Sequence, residues 1–234
     1  LSANPASGLQ YKTKQRPDEE RSPYSVQNLQ DLQAALRTLP DHCHTWKYWT
    51  PLVAVYSGMR QNEIAQLYLD DICERHDVLC FDVNGEGDDK ALKSKAACRL
   101  VPVHPHLIEL GFLDYVEELR RRGEARVWPD LKKKRDGYGL PISRWFSGWR
   151  KTWLTEEDLQ QHKKDFHSFR HTFDDRLKHA GVLDVRLPQL MGHSMEADQT
   201  FGRYGDLLKP PQLLEAVKLL DLGFDLDVLR REWK

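Results

Sequence analysis

Two arginines, two histidines and a tyrosine between glycines lie in separate short segments of the last two-thirds of the chain. These side chains are Arg60, His167, Arg170, His193 and Tyr204. A fold that uses them together must bring several distant segments to one place. Fixed cationic donors suit the negative oxygens of a phosphodiester, and a phenol is a nucleophile that can attack phosphorus. The set therefore predicts one site for chemistry on a phosphodiester.

The two arginines are predicted to hold the phosphate. A planar guanidinium matches two phosphate oxygens and keeps its proton at any ordinary pH. Arg60 and Arg170 are expected to supply this contact from two different helices, and Glu63, one helical turn after Arg60, is expected to hold the Arg60 guanidinium in place. Considered alone, the Arg60–Glu63 spacing favours an ordinary surface ion pair over a phosphate site.

His167 and Arg170 are spaced i, i+3 at the start of a predicted helix, so both face one spot. A histidine there can donate to a phosphate oxygen or exchange a proton with the attacking hydroxyl, whereas the purely structural alternatives are a helix cap or a core histidine. His167 and His171 have the i, i+4 spacing of a metal pair. Ser168, however, replaces the glutamate of a zinc protease motif and no third ligand is evident, so we expect neither metal nor cofactor.

Glycines surround the remaining two candidates. Gly192 predicts a tight turn that presents His193, and Gly202 and Gly205 make the segment around Tyr204 bendable, as an attacking nucleophile requires. A lone tyrosine is normally a packed aromatic side chain. The sequence Gly-Arg-Tyr-Gly is a poor core environment, which favours the nucleophile.

The formal net charge of −1 argues mildly against a nucleic-acid partner, although binding needs only one basic face. Basic residues gather between residues 120 and 164 and acidic residues gather near the C-terminus. The basic set is Arg120, Arg121, Arg122, Lys132, Lys133, Lys134, Arg135, Arg144, Arg150, Lys151, Lys163 and Lys164. A solvated face and a phosphate-facing surface are both consistent with this segregation.

Other composition features limit the class of protein. Four cysteines, at 43, 73, 80 and 98, show no C-x-x-C spacing, which predicts reduced thiols. No apolar run approaches the roughly 20 residues of a membrane span, and no signal peptide is evident. The sequence predicts no membrane association.

The organisation along the chain indicates three parts. Residues 1–22 are polar and are expected to be a linker from a missing upstream domain, residues 23–209 are expected to form the main domain, and residues 210–234 a C-terminal tail helix. Apolar periodicity predicts helices at 25–39, 46–56, 60–69, 105–123, 143–153, 168–179, 184–191 and 211–222, with a last turn at 226–233. Short strands are predicted at 78–83, 91–93 and 99–103. The predicted fold class is α+β, mostly helical, with a small three-stranded antiparallel sheet.

Three motifs resemble the signature boxes of the tyrosine recombinases, the phage-integrase family. They are Ser-Gly-Met-Arg-x-x-Glu-Ile from Ser57, His-Ser-Phe-Arg-His-Thr from His167, and Met-Gly-His-Ser from Met191. The family also has a lysine in a β-hairpin before an Arg-x-Val-Pro strand, which matches Lys93 or, as a near rival, Lys95. The spacing from the Gly-His box to the tyrosine is slightly longer than in the family, which predicts a looser tyrosine segment.

The resemblance implies the catalytic domain fold of this family at residues 23–209, with residues 1–22 as the linker from a missing N-terminal DNA-binding domain. It also implies a transesterification without metal or ATP. Tyr204 would form a 3′-phosphotyrosyl link to DNA, and Lys93 would protonate the 5′-hydroxyl that leaves. Arg60, Arg170, His167 and His193 would stabilise the transition state. Implied partners are double-stranded DNA, further copies of the chain in a tetrameric synapse, and accessory DNA-bending proteins. An isolated chain would be a monomer in a prokaryotic cytoplasm, associated with the nucleoid.

Other classes of protein remain open from the sequence. A type IB topoisomerase or a telomere resolvase would use the same chemistry, although the short prokaryote-like boxes favour a recombinase. A sequence-specific DNA-binding protein with a degenerate site is an alternative, but all six chemical residues are present. A metal-dependent nuclease would be sensitive to chelators.

Overall fold

The computed structural model describes residues 22–40, 44–92, 94, 97–134, 137–193 and 207–231. Its α-helices are α1 (Val26–Arg37), α2 (Thr45–Ser57), α3 (Gln61–Ala65), α4 (Pro105–Glu109), α5 (Phe112–Arg121), α6 (Gly139–Trp149), α7 (Glu156–Gln160), α8 (Ser168–His179), α9 (Arg186–Met191), α10 (Pro210–Val217) and α11 (Leu226–Leu229). The strands are β1 (Ile72–Arg75), β2 (Val78–Val83) and β3 (Arg99–Pro102). This mostly helical arrangement with one small sheet confirms the predicted fold class.

Helix α2 lies at the centre of the hydrophobic core. Its side chains Trp49 and Leu52 are fully buried, and the helix packs against α8. A helix that is apolar on every face is expected in such an interior position. It ends at Gly58, with φ of +63°, where a Cβ atom would lie 2.5 Å from Phe173 Cδ1 of α8. Glycine therefore allows the close approach of α2 and α8 directly before Arg60.

The sheet has the order β1-β2-β3, and both pairings are antiparallel. The prediction of a strand at 91–93 is wrong, because Ala91 is not in a strand and its N–H donates to Gln66 Oε1 at 3.0 Å. The third strand is β1 instead. Its turn into β2 consists of His76 and Asp77, with φ of +53° and +59°, and such a two-residue turn matches the twist of a hairpin.

The single helix predicted from residue 105 to 123 is two helices. Gly111 lies between α4 and α5 with φ of +90°, a conformation that a helix interior does not allow. The other predicted helices are present with shifted ends, and α8 has the predicted bounds. The helix predicted at 60–69 ends at Ala65, the helix predicted at 211–222 ends at Val217, and α7 was not predicted. None of the described helices has the length and apolarity that a membrane span requires.

The described part of the predicted tail packs on its own domain. Helix α10 contacts β2, β3 and α9, and buries Leu213 and Val217. Farther along, the Tyr48 hydroxyl donates to the Leu229 carbonyl at 2.5 Å, and the Arg231 guanidinium lies 5.0 Å from the centre of the Tyr48 ring. The core of the domain thus includes residues from both sides of position 209, the predicted boundary. Residues 1–21 of the predicted linker lie outside the described residues.

Candidate active site

Arg60 lies at the N-terminal end of α3, directly after the turn at Gly58. Its side chain is one quarter exposed, and its Nη1 donates to Glu63 Oε1 at 2.8 Å. The backbone N–H of Arg60 donates to the other carboxylate oxygen of Glu63 at 2.9 Å. The predicted Arg60–Glu63 contact is therefore present. It differs from an ordinary surface pair because the Glu63 side chain is buried.

Arg170 lies on α8 and is buried, in contrast to Arg60. Its Nη1 donates to the carbonyl oxygen of Gly58 at 2.7 Å, and its Nη2 donates to the carbonyl oxygen of Met191. One guanidinium thus joins the segment before Arg60 to the segment before His193. Burial, together with the positive charges of Arg60 and a third arginine, Arg99, lowers the pKa of Arg170 to about 9, so it remains protonated at neutral pH.

Arg99, the first residue of β3, was not among the predicted site residues. Its Nη2 donates to Glu63 Oε2 at 2.9 Å, its Nε donates to the Leu190 carbonyl at 2.7 Å, and its Nη1 donates to the Ala97 carbonyl at 2.9 Å. The sequence holds one signal for it: Arg99 and Val101 share a strand face, and Val101 belongs to the core. A charged side chain on a core face requires buried partners.

His193 follows the C-terminal end of α9. Gly192 ends that helix with φ of +60°, as the predicted tight turn requires, and the His193 N–H donates to the Pro188 carbonyl at 3.0 Å. The residue is exposed, yet its ring loses part of its hydration among neighbouring side chains. This partial burial, followed by the charges of Arg170 and Arg60, lowers the pKa of His193. The neutral imidazole is favoured at neutral pH.

His167 precedes the first turn of α8 and is half-buried. Its backbone N–H donates to Asp165 Oδ1 at 2.8 Å, and its ring centre lies 5.0 Å from that of His171. His167 is the N-cap residue of α8 and Arg170 is its third residue, so the expectation that the two face one spot still rests on their spacing. No group of three or more His, Cys, Asp or Glu in the described ranges is arranged to hold a metal ion.

Lys93, Lys95 and Tyr204 lie outside the described residues, but segments next to them contact the arginine cluster (Arg60, Arg99 and Arg170) or α9. The Ala97 carbonyl accepts from Arg99, as given above. The Gln189 side chain pairs twice with the backbone of Leu208, with its Nε2 donating at 2.8 Å and its Oε1 accepting at 3.0 Å. The chain after the tyrosine segment is thus bound to the helix that carries the Gly-His turn.

The arginine cluster keeps an excess of positive charge. Glu63 is the carboxylate that pairs with both Arg60 and Arg99, while Arg170 donates to carbonyl oxygens. Burial alone would raise the pKa of Glu63, but Arg99 and Arg60 lower it, so the carboxylate is ionised. Among the described residues, Glu63 is the carboxylate in direct contact with the cluster, so its three guanidinium groups keep positive charge that attracts an anion such as a phosphodiester.

Three solved structures are similar to this chain. The integrase from mycobacterium phage Brujita has a TM-score of 0.53 and 21% identity, over 93% of this chain and 66% of that chain. The Tn1549 transposon integrase, solved in complex with transposon right end DNA, has a TM-score of 0.53 and 18% identity, over 79% and 61%. XerA recombinase has a TM-score of 0.50 and 18% identity, over 83% and 63%.

At 18–21% identity these likenesses show the fold alone, which this chain shares with two integrases and a recombinase. The chain spans about two thirds or less of the length of the solved chains that it matches. No protein-family model matches the sequence, and no curated protein matches it.

Proposed function

We propose that this chain carries the catalytic domain of a site-specific DNA recombinase or integrase that cleaves and rejoins DNA through a 3′-phosphotyrosyl intermediate, without metal or ATP. The observation that carries the proposal is the position of Arg170. Its guanidinium joins the backbone before Arg60 to the backbone before His193, so three separate sequence motifs meet at one positively charged site. The shared fold supports the same conclusion.

In the proposed reaction, the phenol oxygen of Tyr204 attacks the scissile phosphorus while the bond from phosphorus to the 5′ oxygen breaks. Lys93 donates a proton to that leaving oxygen, which becomes a free 5′-hydroxyl. Arg60 and Arg170 bind the non-bridging oxygens, and His167 and His193 donate hydrogen bonds as negative charge develops. A 5′-hydroxyl from a partner duplex then attacks the phosphotyrosine, which reverses the step and rejoins the strand.

A covalent adduct tests the proposal. Duplexes cut from the DNA that flanks the gene are incubated with the protein in the presence of a chelator, and products are separated by denaturing electrophoresis. We expect an adduct with the parent chain and with the control Tyr115→Phe, whose hydroxyl bonds the Val127 carbonyl away from the arginine cluster. Tyr204→Phe should bind the DNA and form none. An adduct with Tyr204→Phe would show that Tyr204 is not the nucleophile.

The adduct assay, run beside a relaxation assay on supercoiled DNA, separates the other classes of protein. A DNA-binding protein with a degenerate site would bind the duplexes without forming an adduct. A type IB topoisomerase would relax supercoiled DNA without requiring paired sites. A metal-dependent nuclease would lose activity in the chelator.

The general acid is tested with a substrate whose leaving atom is sulfur. Loss of Lys93 should slow cleavage of ordinary DNA by roughly 10²–10⁴-fold. A 5′-bridging sulfur leaves as a thiolate without needing a proton, so it should restore most of the rate to Lys93→Ala. The matched variant is Lys95→Ala. If the sulfur rescues that variant instead, Lys95 is the acid.

The proposed partners are double-stranded DNA and further copies of the chain, assembled as a tetramer on paired sites. The exposed basic residues that support a phosphate-facing surface are Lys132, Lys133, Lys134, Arg144, Lys151 and Lys163. Binding through phosphate contacts releases counterions, so affinity for duplex DNA should fall steeply as salt rises. Affinity that is unchanged between low and moderate salt would contradict this partner.

A further inference from the structure

Arg99 connects three segments of the arginine cluster while remaining almost inaccessible. Its side chain is 2% exposed, and each of its three nitrogen atoms donates to an acceptor within the protein. These acceptors are the Glu63 carboxylate, the Leu190 carbonyl and the Ala97 carbonyl. Arg170 is equally buried, but its hydrogen bonds go to carbonyl oxygens, whereas Arg99 also pairs with a carboxylate that offsets its charge toward an anion.

Arg99 orients Arg60 through the carboxylate that they share. Glu63 Oε2 accepts from Arg99 Nη2 at 2.9 Å, and Glu63 Oε1 accepts from Arg60 Nη1 at 2.8 Å. Because the carboxylate is planar, a hydrogen bond that holds one oxygen in place also sets the position of the other oxygen. The direction of the partly exposed Arg60 side chain therefore depends on Arg99.

Arg99 also supports the turn that presents His193. Its Nε holds the Leu190 carbonyl at 2.7 Å, and a Cβ atom on Gly192 would lie 2.9 Å from its Nη1. The backbone of this turn therefore lies directly against the guanidinium. Glycine at this position permits that contact as well as the positive φ.

We propose that Arg99 is a positioning residue, which aims Arg60 and the His193 turn at the phosphate through Glu63 and Leu190 and does not itself touch the DNA. This inference rests on the proposed function for its cleavage readout. A structural role alone is a weaker account, because a buried ion pair adds little net stability over an apolar pair of similar volume. Lysine cannot replace it, since an ammonium lacks the rigid planar fork that reaches three acceptors.

The experiment compares Arg99→Lys and Arg99→Gln with Arg120→Gln. Arg120 is a matched control because it too donates to two backbone carbonyls, those of Leu69 and Ile72, but lies on α5 outside the arginine cluster. Thermal unfolding shows which variants fold. Arg99→Lys keeps the positive charge, so it can still be tested if Arg99→Gln does not fold. Adduct formation should slow by roughly 10²-fold in both Arg99 variants and remain near the parent rate in the control.

A double variant shows whether Arg99 acts through Arg60. If it does, the slowing of cleavage in Arg60→Lys combined with Arg99→Lys should be clearly smaller than the product of the two single slowings, because residues acting as a unit are not additive. The part of the Arg99 effect that remains in the double variant belongs to the His193 turn. Defects that multiply would overturn the inference, as would an Arg99→Lys variant that cleaves like the control.

A binding readout keeps the inference separate from the proposed function. Loss of one phosphate contact lowers the salt slope of DNA binding by about 1. We expect this change for Arg60→Gln and equally for Arg99→Lys, with no further change when they are combined. If the parent forms no adduct but these slopes change, the proposed function fails and the positioning role of Arg99 stands. Slopes unchanged in Arg99→Lys would overturn the role even in an active recombinase.

Discussion

Two groups of three arginines in this molecule have opposite surroundings. Arg170 in the arginine cluster is 4% exposed, whereas the Arg121 side chain on α5 is 72% exposed. On α5, Arg120 pairs with Glu117, and both Arg121 and Arg122 pair with Glu118, at i, i+3 or i, i+4 spacing. The cluster instead shares the single carboxylate of Glu63 and otherwise donates to carbonyl oxygens.

The difference lies in how each guanidinium is satisfied. A carbonyl oxygen accepts a hydrogen bond and leaves the positive charge in place, whereas a carboxylate cancels it. The arginine cluster therefore keeps charge for an anion, while the α5 run is largely neutralised by its own helix. The sequence left a solvated face and a phosphate-facing surface open for residues 120–164, and these pairs favour the solvated face for Arg120 to Arg122.

The largest expected effect is on stability, from Glu63→Gln. Removing the carboxylate leaves Arg99 buried without a counter-charge, and breaking a buried pair in this way costs about 3–5 kcal/mol. Denaturant unfolding at neutral pH measures the loss. A change below about 1 kcal/mol would contradict the buried-pair account and place Glu63 among ordinary surface residues such as Glu118.

The pH dependence sharpens this prediction. The pKa of Glu63 is lower in the folded protein than its ordinary value of 4.5, so its contribution to stability is present above that value and is lost as pH falls through the folded pKa. The stability difference between the parent and Glu63→Gln should therefore be greatest at neutral pH and should shrink in acid. A stability difference that grows in acid would show that folding raises the pKa of Glu63 rather than lowering it.

The second effect concerns Arg170→Gln. This change removes a charged donor from the proposed phosphate site, which typically costs about 10²–10³-fold in rate, or about 2.7–4 kcal/mol. Single-turnover adduct formation measures it, with DNA affinity as the control for binding. Loss of affinity without loss of rate would place Arg170 in DNA binding rather than in transition-state stabilisation.

Local sequence signals predicted much of this molecule. Ser25 was expected to begin α1, and its Oγ accepts from the Asn28 N–H at 3.1 Å. The strand expected at 91–93 failed because the Ala91 N–H bonds a side chain from a distant segment, Gln66. Arg99 was missed for the same reason, since two of its three acceptors come from distant elements. Sequence patterns report local geometry and chemical motifs, but not which distant groups satisfy them.

A smaller effect is expected from Gly192→Ala. A left-handed conformation costs a non-glycine residue about 1–2 kcal/mol, and here the added Cβ also meets Arg99. Gly123→Ala is the matched control, with φ of +73° and nothing within 4 Å of the added atom. Gly192→Ala should lose more stability than the control, because Arg99 must shift as well, and only Gly192→Ala should slow adduct formation. Equal rates for the two would mean that the fit between the turn and Arg99 is unimportant.

The smallest effect is expected from Arg120→Gln. Its partner Glu117 is 58% exposed, and such surface pairs contribute about 0–1 kcal/mol. The guanidinium also donates to the carbonyl oxygens of Leu69 and Ile72, and these hydrogen bonds are only part-buried. We expect unfolding free energy, DNA affinity and adduct rate all to stay close to the parent values. A clear loss of DNA affinity that is abolished by moderate salt would show that α5 contacts phosphate, and the contrast between the two arginine groups would then fail.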